Sequence, residues 1–194
     1  MPGLIVGVTG VAGCGKTTFS SRLVDAHGFQ PASFAKPLKD ECADRYGWDR
    51  RALDFDDAAQ ALGFESSFAY KEDVDRDLNM TRRQKLIEVA SAKRAEDPDY
   101  YVKRCLPELT EGRWVIGDLR FLNEVQGVRA ANGVIIRLIR TSREGVVTSA
   151  GDHASETEWR SVEPDFKFTP GEGIENVQSV ADYFVGICHR QGLL

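Results

Sequence analysis

The chain has 194 residues, of which 42% are hydrophobic, and a net charge of −5. This length suffices for one well-buried core, and the acidic balance argues against a nucleic-acid-binding surface spread over the whole molecule. No apolar run approaches the roughly 20 residues that span a bilayer, and the N-terminus lacks the basic start and apolar stretch of a signal peptide. We therefore expect a cytoplasmic protein without a membrane segment.

The flanks of the chain alternate short apolar runs with amphipathic stretches. The first helix ends at Gly28, and the last carries an apolar stripe from Val177 to Cys188. Strands are predicted at residues 4–9, 32–35, 114–118, 134–139 and 166–168. Strands that alternate with helices at this spacing predict an α/β fold with a parallel sheet covered by helices on both faces.

A polar segment separates these flanks. Residues 36–113 hold 15 of the 25 Lys and Arg residues and 18 of the 30 Asp and Glu residues, so both signs of charge are enriched. We predict one helix from about Thr81 to Ala95. A second begins at Asp97-Pro98, where a capping side chain precedes a proline at the first helical position, and Pro107 kinks or ends it early. The segment is therefore predicted to be a mostly helical insertion.

The four cysteines are widely spaced and form no C-x-x-C pair. Without companion histidines at metal-binding spacing, this pattern favours reduced thiols over a zinc site or a disulfide framework. Cys14, which lies within the motif described next, is interpreted as a tolerated small residue rather than a redox group.

Residues 10–17 read Gly-Val-Ala-Gly-Cys-Gly-Lys-Thr and match G-x-x-x-x-G-K-[ST] without a mismatch. The motif follows an apolar strand and opens an amphipathic helix. Its glycines let backbone N–H groups wrap a phosphate, and the helix N-terminus adds partial positive charge. We predict that this loop binds ATP, with Lys16 catalytic at the β- and γ-phosphates and the Thr17 hydroxyl in the Mg²⁺ shell. The predicted ATP-binding residues are Gly10, Gly13, Cys14, Gly15, Lys16, Thr17 and Thr18.

A carboxylate follows a second apolar strand, at Asp118. This is the arrangement of a Walker B acid, which orients Mg²⁺ or its water. The carboxyl ends of parallel strands line one crevice, so Asp118 is expected near the loop of residues 10–17. Asp118 and Arg120 are predicted to be catalytic, and Asp118 is predicted to ligate the metal together with Thr17. The alternative is a structural strand-end aspartate paired with an arginine.

Several further segments resemble the phage-type deoxynucleoside monophosphate kinases, members of the P-loop nucleoside monophosphate kinase superfamily. The resemblance is strongest at Asp118-Leu119-Arg120-Phe121-Leu122-Asn123-Glu124, which is similar to a D-x-R-x-x-x-E segment. Each segment is weak alone, but their order and spacing cover nearly the whole chain. The others are residues 34–40 (Phe-Ala-Lys-Pro-Leu-Lys-Asp), 81–86, 99–103, 133–140 and 153–156.

The resemblance implies a three-layer P-loop kinase fold with a core at residues 1–35 and 112–194, a helical acceptor-binding insertion at 36–111 and a lid at about 140–158. By the same resemblance, Arg83 holds the acceptor phosphate, and Arg140 or Arg143 of the lid reaches the transferring phosphoryl group. Arg143 is predicted to be catalytic and Arg140 to bind substrate. Lys39 and Arg94 are further substrate-binding candidates, each equally interpretable as a surface charge. Arg82 and Lys85 are interpreted as surface charges.

The implied activity is transfer of the γ-phosphoryl group of ATP, with Mg²⁺, to a deoxynucleoside monophosphate. The acceptor phosphate is itself the nucleophile, so the reaction needs positioning and charge neutralisation rather than a strong general base. If the chain is phage-encoded, it acts in the host cell cytoplasm.

Two alternatives stay open. The acceptor could be a hydroxymethylated pyrimidine within DNA, against which the acidic net charge argues, or a small metabolite. The chain could also be a nucleotide-binding module without transfer activity. The sequence leaves open which base is accepted and whether the chain forms a homodimer.

Overall fold

The structure, a computed structural model, describes residues 3–109, 111–140 and 158–194, except the side chain of residue 159. Two short 3₁₀ helices, Leu106–Glu108 and Glu158–Ser161, accompany the other elements. In chain order these are β1 (Leu4–Thr9), α1 (Lys16–His27), β2 (Gln30–Ala32), α2 (Lys36–Tyr46), α3 (Asp56–Ala61), α4 (Ser67–Glu72), β3 (Val74–Asp75), β4 (Met80–Thr81), α5 (Arg82–Glu96), α6 (Tyr100–Cys105), β5 (Arg113–Ile116), α7 (Leu122–Ala130), β6 (Val134–Leu138), β7 (Phe166–Phe168) and α8 (Ile174–Gln191).

The chain divides into two compact units, Met1–Phe34 with Val102–Leu194, and Ala35–Tyr101. The first unit contains a five-stranded sheet in the order β2-β5-β1-β6-β7, in which all neighbouring strands are parallel. The strand β1 lies at the centre, where Val6 pairs with Val115 of β5 and with Val134 of β6. All six residues of β1 are buried, as expected for a parallel strand covered on both faces.

Helices cover both faces of this sheet. Because successive strand residues point to opposite faces, Val6 packs in one apolar cluster with Phe19 of α1 and Phe184 of α8. Its neighbour Ile5 packs in another cluster with Val125 of α7. The predicted α/β fold, with helices on both sides of a parallel sheet, is confirmed.

The predicted strand at residues 32–35 is wrong in its position. The observed strand is Gln30–Ala32, which pairs with Trp114 to Ile116 of β5. Beyond it, the Phe34 N–H donates to the side chain of Asp118 rather than to a neighbouring strand. The chain then enters α2 at Lys36, with a proline in its first turn, so strand pairing ends earlier than the apolar run suggests.

The second unit holds α2 to α5 and the β3–β4 hairpin around its own apolar cluster, which includes Cys42, Leu53, Tyr70 and Leu86. The helix α5 agrees closely with the helix predicted from about Thr81. It opens with a capping box, in which the Thr81 hydroxyl and the Gln84 side chain each accept from the other residue's N–H.

Residues from Val102 onward group with the first unit, although the sequence places residues up to 111 in the insertion. The helix predicted from Asp97 begins at Tyr100 and passes into a 3₁₀ turn containing Pro107. Cys105 and Leu109 pack beside Ile116 in the core of the first unit. The apolar residues at the end of this helix therefore belong to the core of the first unit.

All four cysteines are buried free thiols. Within the described residues, no helix combines the length and the apolar character needed to cross a membrane.

Candidate active site

The loop of residues 10–15 turns through three glycines with positive φ, at 143° for Gly10, 73° for Gly13 and 103° for Gly15. These conformations are costly for residues that carry a Cβ. A Cβ on Gly10 would also collide with the Leu138 carbonyl and lie 2.7 Å from the Cys14 sulfur. The sequence motif therefore corresponds to a backbone that only glycine can adopt at this position.

The Lys16 side chain closes back over this loop. Its ammonium donates to the Gly10 carbonyl at 2.7 Å and to the Val11 carbonyl at 2.8 Å. Gly15 is the N-cap of α1, so the first N–H groups of the helix open beside the same loop. A cation, the N–H groups of a helix N-terminus and glycine turns together form a site suited to a phosphate group.

A cavity of about 340 Å³ opens beside the loop, within the size range of small-ligand sites. Arg140 contributes a cationic wall, and its guanidinium donates to the Gly13 carbonyl at 3.0 Å. Ile174, at the start of α8, contributes an apolar wall and is 63% exposed. The lining residues are Gly13, Gly15, Lys16, Thr17, Thr18, Arg140, Gly173, Ile174 and Val177.

The predicted loop residues Gly13, Gly15, Lys16, Thr17 and Thr18 therefore share one cavity. Arg140, predicted to bind the substrate as part of the lid, contacts the loop of residues 10–15, where it donates to the Gly13 carbonyl. Gly173 and Ile174 have no motif of their own in the sequence. Only their position at the start of the last helix could have indicated them.

Asp118 lies two residues beyond the end of β5, because the strand ends at Ile116 rather than at the predicted Asp118. Both carboxylate oxygens are held: the Ser33 hydroxyl donates to one at 2.6 Å, and the Phe34 N–H donates to the other at 3.2 Å. Ser33 and Phe34 directly follow β2, the strand next to β5. Asp118 is thus oriented from the neighbouring strand end, a contact that sequence reasoning missed.

Glu124 explains the last position of the D-x-R-x-x-x-E segment. Its side chain is only 2% exposed, and one oxygen accepts from the main-chain N–H groups of Arg120 and Phe121 at 2.9 and 3.0 Å. A buried carboxylate at this position caps the N-terminus of α7. Glu124 therefore fixes the turn that carries Asp118 and Arg120, whereas the Arg120 side chain itself is exposed.

The thiol of Cys105 lies near this turn, and the negative charges of the turn raise its pKa. Burial, together with the negative charges of Asp118, Glu108 and Glu124, raises the pKa of Cys105 to about 12. The thiol stays protonated near neutral pH, so Cys105 acts as a packing residue rather than a nucleophile.

In the second unit, the predicted substrate-binding cations already have partners. Lys39 forms an ion pair with Asp54. Arg83 pairs with Glu72 and lies over the Phe68 ring, 4.9 Å from its centroid.

Arg94 is separated from Arg83 by three turns of α5, roughly 16 Å along the helix axis. Its guanidinium lies 4.7 Å from the centroid of the Tyr101 ring. Arg94 is therefore not grouped with Arg83.

The interpretation of Arg82 as a solvated surface charge is wrong. Its side chain is 14% exposed and pairs with Asp73 at 2.9 Å. The guanidinium lies 4.2 Å from the Tyr70 ring centroid and donates to the Tyr70 carbonyl at 3.2 Å. Arg82 thus packs against Tyr70 of the apolar cluster of the second unit.

Lys85 is likewise half-buried, and its ammonium pairs with Glu88 at 2.7 Å. Glu88 is 55% exposed, so this contact is a surface ion pair, as expected for a surface charge.

The predicted lid, at about residues 140–158, lies mostly outside the described residues. Arg143 lies outside them, as do His153 and Glu156. At the edge of the region, the Glu158 carboxylate accepts from the Leu122 N–H at 3.1 Å. The predicted lid arginine Arg143 therefore stays a prediction.

Comparison with known proteins gives three findings. No family model matches the chain. A protein of Acanthamoeba polyphaga mimivirus, described as "Putative deoxynucleotide monophosphate kinase", is 27% identical over 183 residues, covering 82% of this chain and 83% of the relative.

Among solved structures, the Thermus thermophilus protein TT1252 superposes with a TM-score of 0.51 at 12% identity, covering 96% of this chain and 98% of that one. The APS kinase of Mycobacterium tuberculosis gives a TM-score of 0.43 at 15% identity, covering 94% and 98%. The first of these likenesses shows a shared fold. The viral relative agrees with the resemblance drawn from the sequence.

Proposed function

We propose that this chain is a P-loop kinase of the nucleoside monophosphate kinase type, and that it transfers the γ-phosphoryl group of ATP to a deoxynucleoside monophosphate. The products are ADP and a deoxynucleoside diphosphate. The observation that carries this proposal is the cavity in which Lys16, Thr17, Thr18 and Arg140 meet around the glycine turns. The viral relative supports the choice of acceptor class.

The donor nucleotide binds in that cavity. Its phosphates accept hydrogen bonds from the loop N–H groups and from Lys16, which exchanges the two loop carbonyls for phosphate oxygens. Its base packs between the Arg140 guanidinium and the apolar side chain of Ile174. The cavity volume of about 340 Å³ and its mixed walls suit a phosphate-bearing aromatic ligand.

The residues present fit a Mg²⁺ ion. Thr17 opens α1, and Asp118 follows β5, the strand beside β1. A hydroxyl and a carboxylate are the oxygen donors that Mg²⁺ prefers, with phosphate and water oxygens completing its shell. When bound, Mg²⁺ neutralises charge on the β- and γ-phosphates.

The chemical step needs few protein groups. An oxygen of the acceptor phosphate forms a bond to the γ-phosphorus while the bond from that phosphorus to the β–γ bridging oxygen breaks, leaving ADP. Lys16 follows the charge on the transferring group, and the predicted catalytic arginines Arg120 and Arg143 neutralise further negative charge on that group. Lys39 and Arg83 of the second unit hold the acceptor phosphate by exchanging their present carboxylate partners for it.

The test is a steady-state transfer assay with ATP, Mg²⁺ and each of the four common deoxynucleoside monophosphates, read by separation of the diphosphate product. We expect transfer to at least one of them. Arg83→Ala is expected to raise the acceptor KM and leave the ATP KM unchanged. Ribonucleoside monophosphates and phosphorylated small metabolites form the comparison panel. Tight Mg·ATP binding without phosphorylation of any nucleotide would contradict the proposal.

A further inference from the structure

Three cationic side chains from three different helices meet within the second unit. Lys39 belongs to α2, Lys71 to α4 and Arg83 to α5. The Lys71 ammonium donates to the carbonyl of Leu53, whose neighbour in the chain, Asp54, pairs with Lys39. Glu72, which follows Lys71 in the chain, pairs with Arg83. Such a convergence of like charges is unfavourable by itself. It indicates that this surface is arranged to receive negative charge.

The three cations differ in their partners. Lys39 pairs with Asp54, which also accepts from Arg50 at 2.5 Å, and Arg83 pairs with Glu72. For Lys71, the partner is the main-chain carbonyl of Leu53, at 3.0 Å. Across the described part of the chain, no carboxylate lies within 4.0 Å of the Lys71 ammonium. Lys71 is therefore the member of the cluster whose charge is least compensated.

The electrostatics of Lys71 agree with this geometry. Burial, together with the positive charges of Lys39 and Arg83, lowers the pKa of Lys71 to about 8. Asp54 and Asp56 act in the opposite direction, and Glu72 is engaged by Arg83. An incoming phosphate dianion would supply the missing negative charge.

We propose that the Lys71 ammonium binds the phosphate group of the acceptor mononucleotide, together with Lys39 and Arg83. The neighbouring Phe68 side chain is 61% exposed, and Arg83 lies over its ring. An aromatic face beside a phosphate-binding cluster suits a nucleotide, whose base can stack on the ring, better than inorganic phosphate. This assignment rests on the proposed function and names a residue that no sequence motif indicates.

The test is equilibrium binding to the full chain at pH 7 without ATP, using each of the four deoxynucleoside monophosphates and, separately, inorganic phosphate. Lys71→Met is expected to weaken nucleotide binding by roughly 10- to 100-fold, the usual effect of losing a charge-assisted contact. Lys71→Arg should retain affinity within about threefold. The matched control is Lys93→Met, which removes a lysine of the same unit whose ammonium lies 4.0 Å from Glu41 and should bind as wild type does.

The pH dependence of nucleotide affinity distinguishes a role of Lys71 in binding from a role in packing. With a pKa of about 8, Lys71 is mostly protonated at pH 7 and mostly neutral at pH 9. The phosphate keeps its second charge throughout this window. Wild-type affinity should therefore fall up to roughly tenfold between these pH values, whereas Lys71→Arg should show almost no change. Even if Lys71→Met fails to fold, this comparison decides the matter.

Unaltered nucleotide affinity in Lys71→Met, or a wild-type pH profile in Lys71→Arg, would overturn the assignment. Inorganic phosphate that binds as tightly as the nucleotides would overturn the role of a base-stacking surface. The transfer assay is independent of these measurements. If Lys71-dependent nucleotide binding occurs without phosphoryl transfer, the proposed reaction fails while this binding site stands.

Discussion

The two units of the molecule hold the charged side chains of their candidate sites in different ways. In the first, the backbone dominates: Lys16 is held by two loop carbonyls, and Asp118 is oriented by a hydroxyl and an N–H from the neighbouring strand end. In the second, Lys39 and Arg83 are held by carboxylates. The difference teaches that a phosphate loop is built locally by its own residues, whereas the cation cluster of the second unit depends on side chains from several helices.

The largest expected effect falls on Lys16. Lys16→Ala removes the ammonium that follows the transferring phosphoryl group, so the transfer rate should fall about 10³-fold or more. The measurement is kcat with saturating ATP and acceptor. Lys167→Ala, which removes an exposed lysine paired with Glu163 at 2.8 Å, provides the control. Equal activity of the two variants would show that Lys16 of the phosphate loop takes no part in the transfer.

The backbone side of the comparison is tested at Gly10. Gly10→Ala adds a Cβ that collides with the Leu138 carbonyl at a φ of 143°, so the free energy of unfolding should fall by about 2–4 kcal/mol. Gly28→Ala is the matched control, since Gly28 also has positive φ but open space around it. That variant should cost about 1 kcal/mol. Urea unfolding of both variants checks the difference, and similar losses would refute the close-packing argument.

The side-chain aspect of the comparison is tested at Arg82. Arg82→Leu removes the mostly buried guanidinium that pairs with the half-exposed Asp73 and contacts the Tyr70 ring and carbonyl, so we expect a loss of about 2–3 kcal/mol in the free energy of unfolding. Arg51→Leu breaks the exposed Arg51–Asp57 pair, whose arginine is 70% exposed, and should change stability by less than about 0.5 kcal/mol. Denaturant titration distinguishes the two. A loss of stability in Arg82→Leu as small as that in Arg51→Leu would show that Arg82 behaves as a surface charge.

The smallest effect concerns the contact between α1 and α8. Asp182 accepts from Arg22 at 2.8 and 2.9 Å and contacts His27 at 2.7 Å, and these hydrogen bonds lower the pKa of Asp182 from 3.8 to about 2. The folded-state pKa is depressed, so the stabilisation is present above about pH 4 and is lost as the pH falls toward 2. Because the pair is partly exposed, it contributes no more than about 1 kcal/mol. The stability difference between wild type and Asp182→Asn should therefore shrink between pH 4 and pH 2, and a constant difference would exclude the pair as its cause.

The sheet and the phosphate loop could be predicted because their signals are local. Apolar runs predict β1 and β6 closely, and the glycine spacing of residues 10–15 predicts the loop turns. Short polar elements such as α3, α4 and the β3–β4 hairpin carry no strong periodicity, so they could not be predicted. The prediction of a strand at residues 32–35 is wrong because the Phe34 N–H donates to the carboxylate of Asp118, which lies far away in the sequence, and not to a neighbouring strand.

For the same reason, only part of the candidate site could be predicted from the sequence. Lys71 and Glu124 act through partners that the fold brings to them, the Leu53 carbonyl in one case and the N–H groups of a turn in the other. Ile174 lines the cavity because α8 begins there. Residue types alone do not report such positions, since each depends on tertiary contacts rather than on a motif.

The central claim is that a nucleoside triphosphate binds to the glycine turns and to Lys16. Amide chemical shifts of the full chain, recorded as Mg²⁺ and a non-hydrolysable ATP analogue are added, test it most directly. We predict that the largest changes occur at residues 10–18, with smaller ones at Arg140 and at the start of α8. Saturation of the chain with the analogue, with the amides of residues 10–18 unchanged, would contradict the account.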